Sequence, residues 1–113
     1  MLLIAYLGDV VKIALRQPYK QFFGTLANQV RIDIITVLDK KEMSVNAIVH
    51  KLNYDQSTIS HSLKRLESCG FVSVNQRGKN RIYSLNKITI VPLLKLMNSH
   101  MKNYCSKIVM GKC

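Results

Sequence analysis

The sequence has few acidic residues, and none in its C-terminal two fifths. Six Asp and Glu stand against 17 Lys and Arg over 113 residues, a formal charge of +11, and no carboxylate side chain follows Glu67. A charge this one-sided is typical of a protein whose partner is a polyanion, most commonly nucleic acid. A basic surface that serves only solubility is the simpler alternative.

Cysteine is scarce as well, and its spacing is uninformative. Cys69, Cys105 and Cys113 form no C-x-x-C pair, which argues against a disulfide framework and against a closed zinc site. We therefore expect no metal, no cofactor and a reducing, cytoplasmic location. Cys69 is expected to be a small buried residue. Cys105 and Cys113 are candidates for a redox or effector site in a dimer, or else ordinary thiols on a loose tail.

Long apolar runs and catalytic constellations are also missing. Residues 1–8 are apolar, but Asp9 and Lys12 interrupt them well short of the ~20 residues that a membrane span needs, and no basic segment precedes them. There is no paired-carboxylate cluster, no nucleophile beside a base and no phosphate-binding glycine loop. We expect neither membrane association nor enzymatic activity.

Two short helices separated by a tight turn are predicted over residues 44–69, the pattern of a helix-turn-helix. Asp55 suits the N-cap of the second helix, and Gly70 suits the left-handed position that ends it. The apolar residues of that helix recur at spacings of four and three and share one face: Ile59, Leu63 and Leu66. Its remaining surface is polar and basic, which suits base edges and phosphates better than catalysis.

After Gly70 the apolar period changes from 3.6 to 2, which predicts a β-hairpin. Residues 71–75 and 81–85 alternate and are rich in strand formers, with a polar turn at residues 76–80. The hairpin tip carries three cations: Arg77, Lys79 and Arg81. Basic residues can simply protect an exposed strand edge. Directly after a helix-turn-helix, they favour contacts with phosphates or the minor groove.

Apolar helices flank this central unit. Residues 2–16 carry an apolar stripe, Gln17-Pro18 is expected to end that helix, and a second helix is expected to start near Pro18. Asn28 suits the N-cap of a further helix over residues 28–38. Residues 87–110 show a two-in-seven apolar seam. The two outer stripes predict a two-fold interface, unless both only complete the monomer's core.

At this length the chain is expected to form one domain. Its parts are an N-terminal dimerisation helix (residues 1–17), a central winged helix-turn-helix (18–86), and a C-terminal dimerisation helix with its tail (87–113). The fold class is mainly α with a small β-hairpin.

Several pieces in this order resemble the ArsR/SmtB-type winged-helix repressors. Residues 26–35 are similar to the family's "LA-x-x-x-R-x-x-IL" opening, and four further pieces follow at residues 44–48, 55–60, 63–72 and 77–85. The resemblance covers roughly residues 20–100. It implies a homodimer that binds inverted-repeat DNA, with residues 55–69 in the major groove and residues 75–82 as the wing. The family is often released from DNA by metal ions.

The chain departs from the family at its metal sites. Residues 43–46 lack the family's C-x-C thiolates, and Ser and Asn cannot replace thiolates for a soft metal. The last helix offers His100 without a carboxylate, and a lone His is more often a surface or core residue than a ligand. The family's S-x-H in the recognition helix is here Ser60-His61-Ser62, so its histidine is displaced by one. We expect no metal sensing of the usual kinds, and the effector, if any, is unknown.

The candidate DNA contacts are the outward residues of the helix and the hairpin tip. Gln56 suits adenine, Ser57 and Ser60 suit base edges or phosphates, and Thr58 suits the backbone or a methyl group. His61, one turn further along, faces the same way as Ser57 and suits a base or a phosphate. The cations are expected to bind phosphates or, on the wing, to enter the minor groove: Lys64, Arg65, Arg77, Lys79 and Arg81.

Three functions remain open at this point. A dimeric, sequence-specific regulator of double-stranded DNA, most simply a repressor, is the leading interpretation. A winged-helix protein that binds DNA or RNA without sequence preference is the second. A protein–protein adaptor that uses its apolar outer helices is the third, and it predicts no DNA affinity at physiological salt.

Overall fold

The computed structural model describes residues 8–105, and the side chains of residues 16–105. This part of the chain forms five helices and three strands, in the order α1 (Gly8–Leu26), α2 (Gln29–Lys40), β1 (Met43–Ser44), α3 (Val45–Leu52), α4 (Gln56–Ser68), β2 (Val72–Arg77), β3 (Asn80–Leu85) and α5 (Ile90–Tyr104). The strands make one antiparallel sheet in the order β1-β3-β2. Within the described residues, no helix is both long enough and apolar enough to cross a bilayer.

Side-chain caps begin the three central helices. Each cap accepts a backbone N–H that the first turn leaves without a helical partner: Asn28 Oδ1 from Arg31 at 3.1 Å, Ser44 Oγ from Ala47 at 3.2 Å, and Asp55 Oδ2 from Thr58 at 3.2 Å. Gly70 follows α4 with a φ of +75°, a conformation that glycine adopts without steric cost. The predicted starts of these helices and the predicted end of α4 are confirmed.

The core lies where α2, α3 and α4 meet the base of the hairpin. Six large apolar side chains there are completely enclosed: Ile34, Ile48, Ile59, Leu63, Leu66 and Phe71. The apolar face predicted for residues 55–69 is therefore confirmed. Phe22 stacks on Phe71 with ring centroids 5.0 Å apart, which brings the C-terminal part of α1 onto the same core.

The helix break predicted at Gln17-Pro18 is wrong. α1 is a single helix that runs through Pro18 from Gly8 to Leu26. Proline removes one helical hydrogen bond, because it has no N–H. Pro18 itself is exposed, and the helix continues through it on both sides. The boundary drawn between residues 17 and 18 therefore falls inside one helix. Residues 2–7 of the predicted N-terminal stripe lie outside the described part.

The hairpin is longer and its turn tighter than predicted. Pairing continues to Arg77 opposite Asn80, which leaves Gly78 and Lys79 as a two-residue turn instead of the predicted five. Gly78 has a φ of +62°, as two-residue hairpin turns require. Strand β1, which was not predicted, pairs Ser44 with Ile82 and so ties the start of α3 to the wing.

α5 leaves much of its apolar surface uncovered by its own chain. Ile90 is its one buried residue, whereas Leu96 is 70% exposed and Tyr104 is 77% exposed. The predicted helix over residues 87–110 is confirmed from Ile90 to Tyr104, and residues 106–113, with Cys113, lie outside the described part.

Candidate nucleic-acid interface

The turn of the helix-turn-helix is held rigidly against α2. Asn53 ends α3 in the left-handed conformation, with a φ of 62°. Tyr54 then donates its hydroxyl to Asp33 Oδ2 at 2.6 Å, while Gln29 donates to the other oxygen of that carboxylate at 2.8 Å. This hydrogen bond raises the pKa of Tyr54, because ionisation would break it and set two negative charges together. The turn between α3 and α4 is thus tied to α2 by a side-chain hydrogen bond whose acceptor is itself held within α2.

The outward face of α4 presents four exposed side chains. They are Ser57, Ser60, His61 and Lys64. At 3.6 residues per turn these positions lie opposite Ile59 and Leu63, whose side chains are completely buried. The face offers hydroxyl, imidazole and ammonium groups over about two turns, and it is free of other elements of the described chain.

At the start of α4, two hydroxyl groups are committed to the cap. Ser57 Oγ donates to Asp55 Oδ2 and Thr58 Oγ1 donates to Asp55 Oδ1, both at 2.5 Å. These bonds, with the Thr58 amide, lower the pKa of Asp55 to about 2, because they stabilise the charged carboxylate. Ser57 therefore keeps its lone pairs for an incoming donor, whereas Thr58 is half-buried and is turned toward Asp55 instead of outward.

A shallow groove of about 190 Å³ brings the first residue of α4 beside the wing. Its lining consists of Ser44, Val45, Asn46, Gln56, Lys79, Asn80 and Arg81. Gln56 thus shares one surface with two of the predicted wing cations. Ser44 and Asn46 were missed as site residues, because a two-residue strand leaves no periodic signal that would place the start of α3 next to the hairpin.

The three wing cations are in different situations. Arg77 Nη1 lies 2.6 Å from Glu42 Oε1, and these side chains are 55% and 42% exposed. Arg81 lies over the Tyr83 ring, 6.0 Å from its centroid, a cation–π geometry. Lys79, at the turn, makes no ion pair or hydrogen bond with the described residues. Lys79 is therefore the most available of the three.

Arg65 is exposed, but one side of its guanidinium group is engaged within the fold. Its Nε donates to Thr25 Oγ1 at 3.2 Å, so the side chain is held toward α1. Of the ten predicted contacts, four share the outer face of α4 and three share the groove. The other three are placed apart, with Thr58 on the cap, Arg65 against α1 and Arg77 on Glu42.

The cysteines and His100 do not gather into a metal centre in the part of the chain that the structure describes. No three His, Cys, Asp or Glu residues there lie close enough together to hold an ion. Cys69 is half-buried where full burial was expected, and Cys105 is half-buried at the end of α5. The His100 ring packs near Tyr104, with centroids 5.0 Å apart.

Comparison with known proteins identifies the same architecture. Residues 28–74 match the model of the bacterial regulatory protein, arsR family. This segment runs from the N-cap of α2 into β2. The nodulation protein NolR of Rhizobium meliloti is 32% identical over 73 residues, which are 65% of this chain. The matched part spans 60% of NolR.

Two solved structures from mycobacteria are similar over most of the chain. The M. tuberculosis protein Rv0081 has a TM-score of 0.76 and 28% identity, covering 84% of this chain and 96% of its own. The homodimeric winged helix-turn-helix DNA-binding domain Mb0332 of Mycobacterium bovis has a TM-score of 0.74 and 26% identity, covering 83% and 87%. The family model, the relatives and the shared fold agree with the resemblance seen in the sequence: this chain has a winged helix-turn-helix fold and is similar to regulators of the ArsR family.

Proposed function

We propose that this chain is a homodimeric transcriptional regulator, of the repressor type, that binds a specific double-stranded DNA sequence. The observation that carries the proposal is one continuous surface. The outward face of α4 and the groove beside Gln56 join hydrogen-bonding side chains to the cations Lys79 and Arg81. Base edges in the major groove require the former, and the phosphates that flank them require the latter.

In this proposal α4 enters the major groove with its outward residues against the bases. Gln56 has both a donor and an acceptor, which is the pattern that pairs with adenine. Ser57, whose proton is committed to Asp55, accepts from an amino group of adenine or cytosine. Ser60 and His61 lie one turn further along, and Lys64 meets a phosphate at the groove's edge.

The wing lies against the backbone or the adjacent minor groove. Lys79 and Arg81 approach it from the turn. Arg77 first has to leave Glu42, and this exchange is easy because an ion pair between exposed side chains is worth at most about 1 kcal/mol. The net charge of +11 adds a long-range attraction to any duplex.

Two copies of the chain present two such surfaces. Support for a homodimer comes from the apolar surface that the monomer leaves open on α1 and α5, where Tyr19 is 58% exposed, Phe23 63% and Leu96 70%. Between α2 and α5 runs a mostly apolar groove of about 470 Å³, lined by residues that include Ile32 and Met97. The similar Mb0332 domain is itself homodimeric. A two-fold dimer matches an inverted-repeat site.

The proposal is tested by titrating the protein, under reducing conditions, onto DNA from immediately upstream of its gene and onto a scrambled duplex. At ~150 mM salt a regulator should prefer one duplex by about a thousandfold or more, whereas non-specific binding is typically only 10⁻⁴–10⁻⁶ M. Equal, steeply salt-dependent binding to both would instead indicate an architectural protein. No binding to either would point to the apolar helices and an adaptor.

A further inference from the structure

Thr25 is an unusual residue in this fold, since its polar side chain is completely enclosed. Among the described side chains only Thr25 and Ser62 are buried and polar, and Thr25 alone is 0% exposed. It lies in the last turn of α1. Its hydroxyl group lies at the point where α1 meets the C-terminal end of α4, with Arg65 Nε at 3.2 Å and Cys69 Sγ at 3.6 Å.

The hydrogen-bonding capacity of this hydroxyl group is fully used. A threonine hydroxyl has one proton and two lone pairs. The proton is donated to the carbonyl of Gln21 at 2.7 Å, so the lone pairs accept from Arg65 Nε–H and from the Cys69 thiol. A side chain of the same shape without the oxygen would leave Arg65 Nε and the half-buried Cys69 thiol without this acceptor.

The same turn of α1 is also held from α2. Arg31 Nε donates to the carbonyl of Thr25 at 2.7 Å, and Arg31 Nη2 donates to the carbonyl of Gly24 at 3.2 Å. These are carbonyls that the end of a helix leaves without helical partners. The end of α1 is therefore fixed to α2 through its backbone and to α4 through the Thr25 side chain.

We propose that Thr25 is a positioning residue for DNA recognition, which orients α4 relative to α1 through Arg65 and Cys69. This inference rests on the proposed function, in which α1 belongs to the dimer interface and α4 reads the bases. The contact between α1 and α4 then sets the distance and the relative orientation of the two α4 helices in the dimer. Half-sites on one face of B-DNA lie about 34 Å apart. A small rotation of α4 relative to α1 therefore displaces the outward faces of both α4 helices from their bases. Arg65 acts here through Thr25 and binds no phosphate.

The test compares Thr25→Val with Thr36→Val. Both substitutions replace a hydroxyl with a methyl group of similar shape, and Thr36 Oγ1 makes the same bond to a carbonyl four residues earlier, Ile32 at 2.8 Å, but it is exposed on α2. The DNA is a duplex that the wild-type protein selects from a random pool. Two further duplexes have the half-sites moved apart by one and two base pairs.

Thr25→Val should bind the selected duplex about tenfold more weakly than the wild type does. Its affinity for the two duplexes with shifted half-sites should change little, so the difference in affinity between the three duplexes becomes smaller. The dependence of affinity on salt should stay as in the wild type, since no phosphate contact is lost. Arg65→Gln should give the same result, and the double variant should lose no more than either single one. Thr36→Val, whose side chain lines the groove between α2 and α5, should keep the wild-type spacing preference, and Thr25→Ser, which keeps the hydroxyl group, should keep it as well.

The inference is overturned if Thr25→Val keeps the wild-type spacing preference, or if Arg65→Gln lowers the salt slope by about one, as the loss of a phosphate contact does. Thermal unfolding and sedimentation establish that each variant is a folded dimer. If Thr25→Val does not fold, Arg65→Gln and Thr25→Ser decide the question by the same readouts. A wild-type protein that selects no sequence would refute the proposed function, and the inference with it, before any variant is compared.

Discussion

α4 and α5 are both amphipathic helices, yet they use their apolar faces differently. In α4, Ile59, Leu63 and Leu66 are completely buried within their own chain. In α5 only Ile90 is buried, while Leu96 and Tyr104 are 70% and 77% exposed. An apolar stripe at helical spacing therefore predicts that one face of the helix is buried, but it does not show whether the same chain or a partner buries it. The chain covers one stripe itself and leaves the other for a partner, which we infer is a second copy.

The largest expected effect comes from comparing the loss of an apolar side chain in α4 with the same loss in α5. Leu63→Ala should destabilise the protein by about 3 kcal/mol, because it opens a cavity in a close-packed site. Leu96→Ala should change the unfolding of a dilute sample by less than about 0.5 kcal/mol, because that side chain is mostly in water. Denaturant titrations at low protein concentration measure both. Equal losses would show that α5 is part of the monomer's core.

The next effect concerns base reading by α4. Gln56→Ala should reduce discrimination at one base position by about 1–3 kcal/mol and leave binding to random DNA unchanged. Gln76→Ala is the matched control, because Gln76 is an exposed glutamine on the wing that bonds to the Gly78 carbonyl. Binding to a panel of single-base operator variants gives the measurement. If Gln56→Ala weakened operator and random DNA alike, its assignment to a base would be wrong.

The affinity of the dimer tests whether a second copy of the chain covers the apolar face of α5. Leu96→Lys should weaken self-association about tenfold or more, because it puts a charge into an apolar interface. Ser99→Lys, on the polar side of the same helix, adds the same charge and should leave association unchanged. Sedimentation equilibrium over a range of concentrations compares the two. A Leu96→Lys protein that dimerises like the wild type would exclude this face of α5 from the interface.

The salt dependence of binding reports on the wing. Glu42→Gln releases Arg77 from its one described ion pair, so the salt slope on non-specific DNA should become steeper by about one and the affinity should rise modestly. Asp39→Asn removes the same charge from a residue that forms no ion pair among the described residues, so it should raise affinity without releasing a cation. A slope that is identical in both variants would mean that Arg77 does not reach the DNA.

The smallest effect is the pH dependence of the α4 cap. Hydrogen bonds from Ser57 and Thr58 lower the pKa of Asp55 to about 2 in the folded protein, below the value of about 3.9 in an unfolded chain. The stability from this carboxylate is therefore fully present above pH ~4 and is lost as the pH falls toward 2. Thermal unfolding between pH 2 and 5 should show this loss in the wild type. Asp55→Asn should flatten the curve there, since asparagine caps without titrating, and an unchanged curve would contradict the assignment.

Local chemistry made much of the fold predictable. Asn28, Ser44 and Asp55 act on amides within three residues of themselves, so the signals for their helices are short-range and legible in the sequence. The same holds for Gly70. Pro18 misled because a proline removes one hydrogen bond from a helix without having to end it, and whether the helix continues depends on the packing of the folded chain.

The candidate site was predictable as a set of residue types but not as an arrangement. The alternation of apolar and polar positions placed Ser57, Ser60, His61 and Lys64 outward on α4. Nothing in the sequence showed that Arg77 would pair with Glu42, 35 positions away, or Arg65 with Thr25, 40 positions away. Such partners come together only after the elements have packed.

The sequence by itself determined the helix-turn-helix followed by a hairpin and a last helix, the apolar face of α4, the caps and the charge of +11. All of these follow from neighbours within about one turn of helix, or from a sum over residues. Only the tertiary structure decided which cations are free to meet a phosphate, that Thr25 is enclosed, and that β1 joins α3 to the wing. The reason is physical, because burial and long-range hydrogen bonds depend on which surfaces exclude water from one another, and that is settled by packing.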